Sequence, residues 1–453
     1  ATQLRGVARI SDSVVGVPGQ AAYGLIDHDA AETNRDTSLA LRLDDARGAG
    51  YLQLVTFGYH RIRDVYTDSK MDGPYPVAAL VRDVSAPQPR TYLERLLSPE
   101  EAAGLTPAAG FRVVTSDVTL YPSFEPYLSA THRARLGYQG TWTRGAATAV
   151  FGYEHERQGG TVSASGVSRS NNGAYVHGTA TLAGRYFFAG GLRVERSSAF
   201  GAKVTPRGSL GVRLAGGRGP VSSSFLRFSA GRGITEPSLI QNFSREYYFV
   251  GNPDLKPERT SSYEAAVVQE WFGRRARTEV AAFHNSFRDL IAFVSLPAPV
   301  WGSWRNLEAS RARGIEVSGK ARLAEAVTLS ASYTRLWTRI ITSASPASAS
   351  YAVGQELVRR PANSASLGLS VAPRRWWLQA GALLVGERQD VDYYFGVTRN
   401  RGYQNVYLAG SYRLDEHVSP FLRVDNALNS RYQEALGYPA ASRSVRGGLR
   451  LEW

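Results

Sequence analysis

Val406-Tyr407-Leu408-Ala409-Gly410-Ser411-Tyr412-Arg413-Leu414 decides the fold. Val406, Leu408, Gly410, Tyr412 and Leu414 make one alternate set, and Tyr407, Ala409, Ser411 and Arg413 make the other. Successive side chains of a β-strand point to opposite sides of the sheet, so this is a strand with one greasy and one polar surface. The closing stretch repeats the pattern. Val445, Gly447, Leu449, Leu451 and Trp453 alternate with Arg446, Gly448, Arg450 and Glu452. Leu192 and Val194 alternate with Arg193 and Glu195, and Leu210, Val212 and Leu214 with Gly211 and Arg213. Tyr51 to Tyr59 carries bulky residues on both sides and has no assignable face.

Working outward, such segments recur about eighteen times. They begin near Leu4, Thr37, Tyr51, Tyr127, Ala146, Gly173, Tyr186, Arg207 and Ser222, and continue near Thr260, Arg277, Asn306, Val327, Glu356, Trp376, Tyr403, Ser419 and Ser442. Short links such as Thr143-Arg144-Gly145, Ala372-Pro373-Arg374 and Asp415-Glu416-His417 alternate with long ones. Most long links run about 10–16 residues, well beyond a hairpin turn. Asp64 to Pro126 and Glu236 to Glu258 are longer still. One-sided loop length is how outer-membrane barrels are built, with short turns at the periplasm and long loops outside. A propeller would show a fixed repeat, which is lacking here. The expected fold is all-β, an antiparallel transmembrane β-barrel over residues 1–453.

Composition agrees. The chain has 453 residues, 53 Lys+Arg against 39 Asp+Glu, and a formal net charge of +14. It lacks cysteine, which excludes disulfide scaffolds and thiolate metal sites. No apolar run is long enough for a membrane-spanning helix. The mean hydropathy of −0.26 would suit a soluble protein, but in a barrel only alternate residues meet lipid. The positive charge is spread along the chain rather than gathered into a stripe, which argues against a nucleic-acid partner. No nucleophile elbow, phosphate loop or H-E-x-x-H motif is present, so no enzyme activity and no cofactor are expected.

Several motifs carry a family resemblance. Gly251-Asn252-Pro253-Asp254-Leu255-Lys256-Pro257-Glu258, followed by Ser262-Tyr263-Glu264, resembles a loop-to-strand motif of TonB-dependent outer-membrane receptors. Phe283-His284-Asn285-Ser286-Phe287-Arg288-Asp289-Leu290-Ile291 is similar to the strand that follows it. Asn306-Leu307-Glu308 with Arg313-Gly314-Ile315-Glu316 resembles the "N-x-G … R-G-x-E" strand, with Glu308 where glycine is usual. Asp425-Asn426-Ala427-Leu428-Asn429-Ser430-Arg431-Tyr432 resembles the penultimate-strand signature. The ordered set covers roughly Phe225 to Trp453.

The resemblance implies TonB-dependent active uptake of a scarce nutrient, an iron-siderophore or cobalamin or the like, across the outer membrane of a Gram-negative bacterium. It implies TonB, a small-molecule or metal-chelate ligand, outer-membrane lipid and the barrel-assembly machinery as partners. Such transporters are 22-stranded with a plugged lumen. About eighteen strands and no plug are legible here, so the expectation is a barrel lacking the plug and its first strands. A passive porin remains the alternative, because 16–18 strands enclose an aqueous pore and Asp64 to Pro126 could fold inward as a constriction.

Individual residues follow. The two prolines of Gly251 to Glu258 fix φ and deny ladder donors, which reads as a structural corner. Glu316, flanked by outward Ile315 and Val317, should face the lumen, as should Arg446 and Arg450; the resemblance puts a plug opposite them. Tyr247, Tyr248, Phe249, Trp301, Trp304, Tyr393 and Tyr394, with Phe395, are loop aromatics. They suit either flat, partly apolar ligands or an interfacial girdle. The terminal Trp453 reads as an interfacial aromatic, and the resemblance adds an assembly signal. Asp27-His28-Asp29 offers cation ligands, but a solvated polar loop is the preferred reading and no metal site is expected, because calcium needs six or more oxygens and few are near in sequence. Ser98-Pro99-Glu100-Glu101 has the form of a capping box and predicts a short helix through Ala103.

Overall fold

The structure, a computed structural model, describes residues 2–452 apart from 21–23, 49, 85–89, 124–125, 163–164, 246–248, 297–301, 344–351 and 393–394. In chain order it begins with β1 (Thr2–Gly16), β2 (Ala31–Arg47), β3 (Tyr51–Thr67), β4 (Asp72–Val84), β5 (Arg90–Leu97), α1 (Pro99–Gly104) and β6 (Phe111–Leu120). It continues with β7 (Tyr127–Arg144), β8 (Ala147–Val162), β9 (Ser165–Leu182), β10 (Tyr186–Ser197), β11 (Gly201–Arg218), β12 (Val221–Thr235) and α2 (Leu239–Phe243). Next come β13 (Glu258–Trp271), β14 (Ala276–Ser295), β15 (Gly302–Ala324), β16 (Val327–Thr342), β17 (Asn363–Val371) and β18 (Trp376–Val385). The last are β19 (Arg388–Asp392), β20 (Gly396–Asn400), β21 (Tyr403–Tyr412), β22 (Val418–Asp425), β23 (Gln433–Ala435), β24 (Tyr438–Pro439) and β25 (Ser444–Leu451).

Among the described residues, eighteen of these strands form one sheet in which each chain-neighbour pairs antiparallel with the next. The wall runs from β1 through β3, skips to β7, continues to β18, and closes its sequence through β21, β22 and β25. No ladder joins β1 to β25 among the described residues. The strand expected near Glu356 starts instead at Asn363. Residues 355–362 are held as a loop, with Gln355 O accepting from Ile340 N and Ala362 O from Leu336 N.

Alternation explains the wall. Leu192, Val194, Leu449, Leu451 and Leu408 are all exposed apolar side chains, the last three at 64, 57 and 46%. A soluble fold would bury them; a membrane strand leaves them for lipid. The intervening Arg193 and Glu195 bond to each other on the opposite face. Gly314, of the Arg313-Gly314-Ile315-Glu316 motif, shows why a strand keeps a glycine. A Cβ there would lie 2.5 Å from Phe283 Cζ and 2.6 Å from Arg335 O. Phe283, its cross-strand partner, lies over the glycine.

The compact apolar core belongs to the loops, not the wall. β19, β20, β5, β4 and β6 form a separate five-stranded sheet. Leu25, Val77, Ala79, Val81, Leu93, Val118 and Phe395 pack together with at most 6% exposure, and Leu436 lies against them. These residues come from four different long connections. The one between β3 and β7 is therefore folded structure, with three strands, a short helix and a share of this core. The helix predicted within it is α1, and its capping box is present: Glu101 N–H donates to Ser98 Oγ and Ser98 N–H to Glu101.

Candidate functional site: the lumen and its covered mouth

Inward positions of the wall carry a lattice of ion pairs. Arg193 on β10 donates to Glu154 on β8 (2.8 Å) and to Glu195 (2.9 Å), and Arg135 on β7 pairs with the same Glu154. Further round, Arg227 on β12 reaches both Glu264 on β13 and Glu279 on β14, each at 2.8 Å, and Arg277 adds a contact to Glu279 at 3.1 Å. Near the closing strands, Asp425 accepts from Arg423 and, at 2.7 Å, from Arg446. Arg450 pairs with Glu452 at 3.0 Å. Arginine suits this role because its planar fork can bridge two carboxylates on neighbouring strands.

Glu316 lies on the same face, opposite Ala281, and borders a recess of about 760 Å³ with Arg207, Ser229, Glu264 and Asn285. It is exposed and has no ion-pair partner among the described residues. Of the three residues expected to face the lumen, Arg446 and Arg450 thus have acidic neighbours on the wall, and Glu316 alone presents a free charge.

The mouth is built by hydrogen bonds between distant loops. Asp390 is fully buried on β19. Its carboxylate accepts from Arg359 Nε (2.9 Å), Val391 N (2.9 Å), Asn400 Nδ2 (3.0 Å) and Leu436 N (3.0 Å). One side chain therefore ties the connection before β17, both strands of the β19–β20 hairpin and the last long loop. Arg388, 4% exposed, donates to the carbonyls of Gln433 and Glu434. Thr398 Oγ1 donates to Leu93 O at 2.7 Å, beside the parallel contact that joins β20 to β5.

The Gly251 to Glu258 stretch is a corner. Asn252 N–H donates to Gln241 O in α2, its Nδ2 donates to Trp304 O, and its Oδ1 accepts from Asp254 N. Asn306, on β15, clasps it from outside: Oδ1 accepts from Lys256 N, and Nδ2 donates to Lys256 O and Asp289 O. Leu255 and Pro257 are buried. A Cβ at Gly251 would lie 2.6 Å from the Asn242 carbonyl carbon and Phe243 nitrogen, so the backbones touch there. The loop's other end is bolted to the wall. Arg169, 4% exposed, donates to Pro237 O (2.7 Å) and Gln158 (2.8 Å) and pairs with Glu236 (3.0 Å). Burial raises Glu236 above the usual carboxylate range.

Asp27 and Asp29 meet Asp72, and one carboxylate oxygen from each lies within 4.8 Å of the others. His28 turns to Asp72, its Nδ1 at 2.7 Å and its N–H at 3.0 Å. Asp68, 7% exposed, stands close by, and burial together with the Asp27 charge raises it above the usual range. Buried oxygens of Asp29 and Asp68 have no hydrogen-bond donor. The His28 N–H holds Asp72 low, and Ser69 does so for Asp29. An all-oxygen set with spare lone pairs is what a hard cation such as calcium takes.

Of the aromatics expected at the mouth, Tyr247, Tyr248, Trp301, Tyr393 and Tyr394 lie outside the described residues, as does Trp453. Phe249 and Trp304 are described and meet edge-to-face at 6.3 Å, each also packing on Phe293. Phe395 fills the loop core, a packing role. Sequence reasoning missed the Asp390 hub and the Arg169 bolt, because their partners are far apart in the chain. The loop sheet had one signal: the unbroken run Val77-Ala78-Ala79-Leu80-Val81, which suits a strand buried on both faces.

A membrane-exposed antiparallel wall around a charged lumen, with loops folded over one end, defines an outer-membrane β-barrel of receptor type. Residues 8–427 match the family model described as "TonB dependent receptor-like, beta-barrel", and the chain belongs to that family of Gram-negative outer-membrane transport receptors, which are not enzymes. It is 26% identical over 298 residues to the vitamin B12 transporter BtuB of Vibrio vulnificus, covering 64% of this chain and 43% of that one. BtuB of Vibrio cholerae is 25% identical over 280 residues. The chain spans about two-fifths of the length of these relatives, 61% of this chain matching 41% of the Vibrio cholerae protein. Among solved structures, the ferric enterobactin receptor PfeA of Pseudomonas aeruginosa aligns with a TM-score of 0.68 at 15% identity, covering 99% of this chain and 67% of that one. The ferric-catecholate import receptor Fiu of E. coli gives 0.68 at 13%, covering 99% and 71%. At these identities the likeness shows the fold alone.

Proposed function

We propose that this chain is the wall and mouth of a transporter that takes up a cobalamin or chelated-iron ligand with energy passed on by TonB. The observation that carries the reading is the lumen. Among the described residues it is lined with arginine–carboxylate pairs and also presents unpaired carboxylates such as Glu316, a polar surface able to hold a polar body. A plug is that body in this reading, held by Glu316, Arg446 and Arg450 until TonB displaces it. Ligand capture falls to the aromatics Tyr247, Tyr248, Phe249, Trp301, Trp304, Tyr393 and Tyr394. The Phe249–Phe293–Trp304 cluster supports that role, since rigid rings present large area at small entropic cost. Trp453 serves assembly into the membrane.

The test is uptake of labelled cyanocobalamin and of ferric siderophores by cells with and without the intact gene, each with and without a working TonB. Loss of one ligand's uptake in both deletions is expected. Uptake that depends on this protein but persists without TonB would instead support the passive-porin alternative.

A further inference from the structure

The loop sheet is assembled from two connections whose feet stand far apart on the wall. β4, β5 and β6 belong to the connection between β3 and β7, and β19 and β20 to the one between β18 and β21. Twelve wall strands, β7 to β18, separate the two. At about 4.8 Å per strand that is roughly 58 Å of wall, so connections that share a sheet meet over the mouth rather than along its rim.

Each part is tied within itself. In the first, Tyr75 Oη donates to Ile26 O at 2.6 Å and Ser123 N to Asp68 O at 2.9 Å, and β4 pairs along its length with β5 and β6. In the second, the Asp390 bonds hold β19, β20, residues 355–362 and the last long loop together, and Arg359 N donates to Gln389 O at 2.8 Å. Between them runs a seam. Its ladder is a single pair, Val397 with Tyr92, whereas β19 pairs with β20 from Arg388 to Asp392. Thr398 Oγ1 donates across it to Leu93 O at 2.7 Å. Phe395 seats in the core of the first part, and Leu436 lies against the same core. Val397 is 2% exposed.

We propose that the mouth opens along this seam, the two parts separating as bodies that keep their own bonds, and that it closes when Phe395 and Thr398 reseat. Local opening follows boundaries crossed by few hydrogen bonds and contacts. Parting β4 from β6, or β19 from β20, breaks a whole ladder; parting β20 from β5 breaks one pair, one side-chain bond and the Phe395 and Leu436 packing. It also strands no buried charge, because the Asp390 partners all lie in the second part. The gate stands above the lumen, so it does not depend on which ligand the transporter carries.

The chain has no cysteine, so introduced thiols are the only ones present. In whole cells, V397C should react with a bulky, membrane-impermeant sulfonated maleimide, because the seam uncovers it. A78C, equally buried but inside the first part, should stay protected. Adding T398V should speed V397C labelling about fivefold, the worth of one hydrogen bond. Paired neighbours stand about 4.8 Å apart, within reach of a disulfide, so oxidised Y92C/V397C should staple the seam. The stapled protein should bind cyanocobalamin or ferric enterobactin, whichever the wild type takes, at least tenfold more slowly and recover on reduction. L80C/V113C, stapled within the first part, should bind as the wild type does. Equal labelling of V397C and A78C, labelling indifferent to T398V, or unchanged association in stapled Y92C/V397C would each overturn the proposal. If the wild type binds neither ligand, the uptake reading fails and the labelling contrast alone decides the gate. If Y92C/V397C does not fold, F395A should speed both labelling and association, and no change in either would count as refutation.

Discussion

Replacing Asp390 by alanine should unfasten the mouth and leave the wall standing. The carboxylate is fully buried and accepts four hydrogen bonds, one of them from the Arg359 guanidinium. The half-exposed Arg359 can turn to water, but the Asn400 amide and the Val391 and Leu436 N–H groups are left without acceptors, and at about 1–3 kcal/mol per stranded donor the loss is about 3–5 kcal/mol. At 1.4 kcal/mol per decade, this favours local opening of the loop sheet by roughly two to three and a half decades. The wall shares none of these bonds, so the penalty stays local. Hydrogen exchange read peptide by peptide is the assay. Amides of β19, β20 and β5 should exchange faster by that factor, while those of β12 to β15 keep their protection. D390N, which preserves volume but turns amide hydrogens toward the existing donors, should show most of the same loss. Unchanged protection in β19 and β20 of D390A would refute the hub, and an equal loss across the wall would refute its independence.

Four further outcomes follow from the same geometry. G251A forces a methyl against the α2 backbone at 2.6 Å and should weaken ligand binding with wall strands unaltered, as read by binding isotherms and hydrogen exchange. G314A drives a Cβ into Phe283 and the Arg335 carbonyl, and overpacking of that kind costs about 1–3 kcal/mol in thermal or denaturant unfolding. A raised Asp68 contributes stability that is complete below its unfolded pKa near 4 and lost as pH rises through its folded value. With a chelator, D68N should therefore be more stable than the wild type at neutral pH and equal to it in acid. Millimolar calcium should reverse the neutral-pH order if Asp68 joins Asp27, Asp29 and Asp72 in holding the ion, and an order indifferent to calcium would remove Asp68 from the set. E316Q should loosen the proposed plug and sensitise cells to large antibiotics that the closed barrel excludes; unchanged sensitivity would count against that contact.

The wall was legible in the chain alone because it obeys a local rule. Residues such as Leu449, Arg450 and Leu451 state their sides by position, and a period of two needs no knowledge of the neighbouring strand. Turn lengths reported the two ends, the Gly251 to Glu258 prolines reported a corner, and Ser98 with Glu101 reported a helix start, all within a few residues. Tertiary structure decided what lies far apart in sequence. Asp390 meets Arg359 and Leu436, Val397 meets Tyr92, Asp27 meets Asp72, and Arg311 stands opposite Arg339 only once register is set. A buried charge, a shared loop core and a like-charge pair are each made by juxtaposition, and alternation along one strand carries no information about the residue across from it.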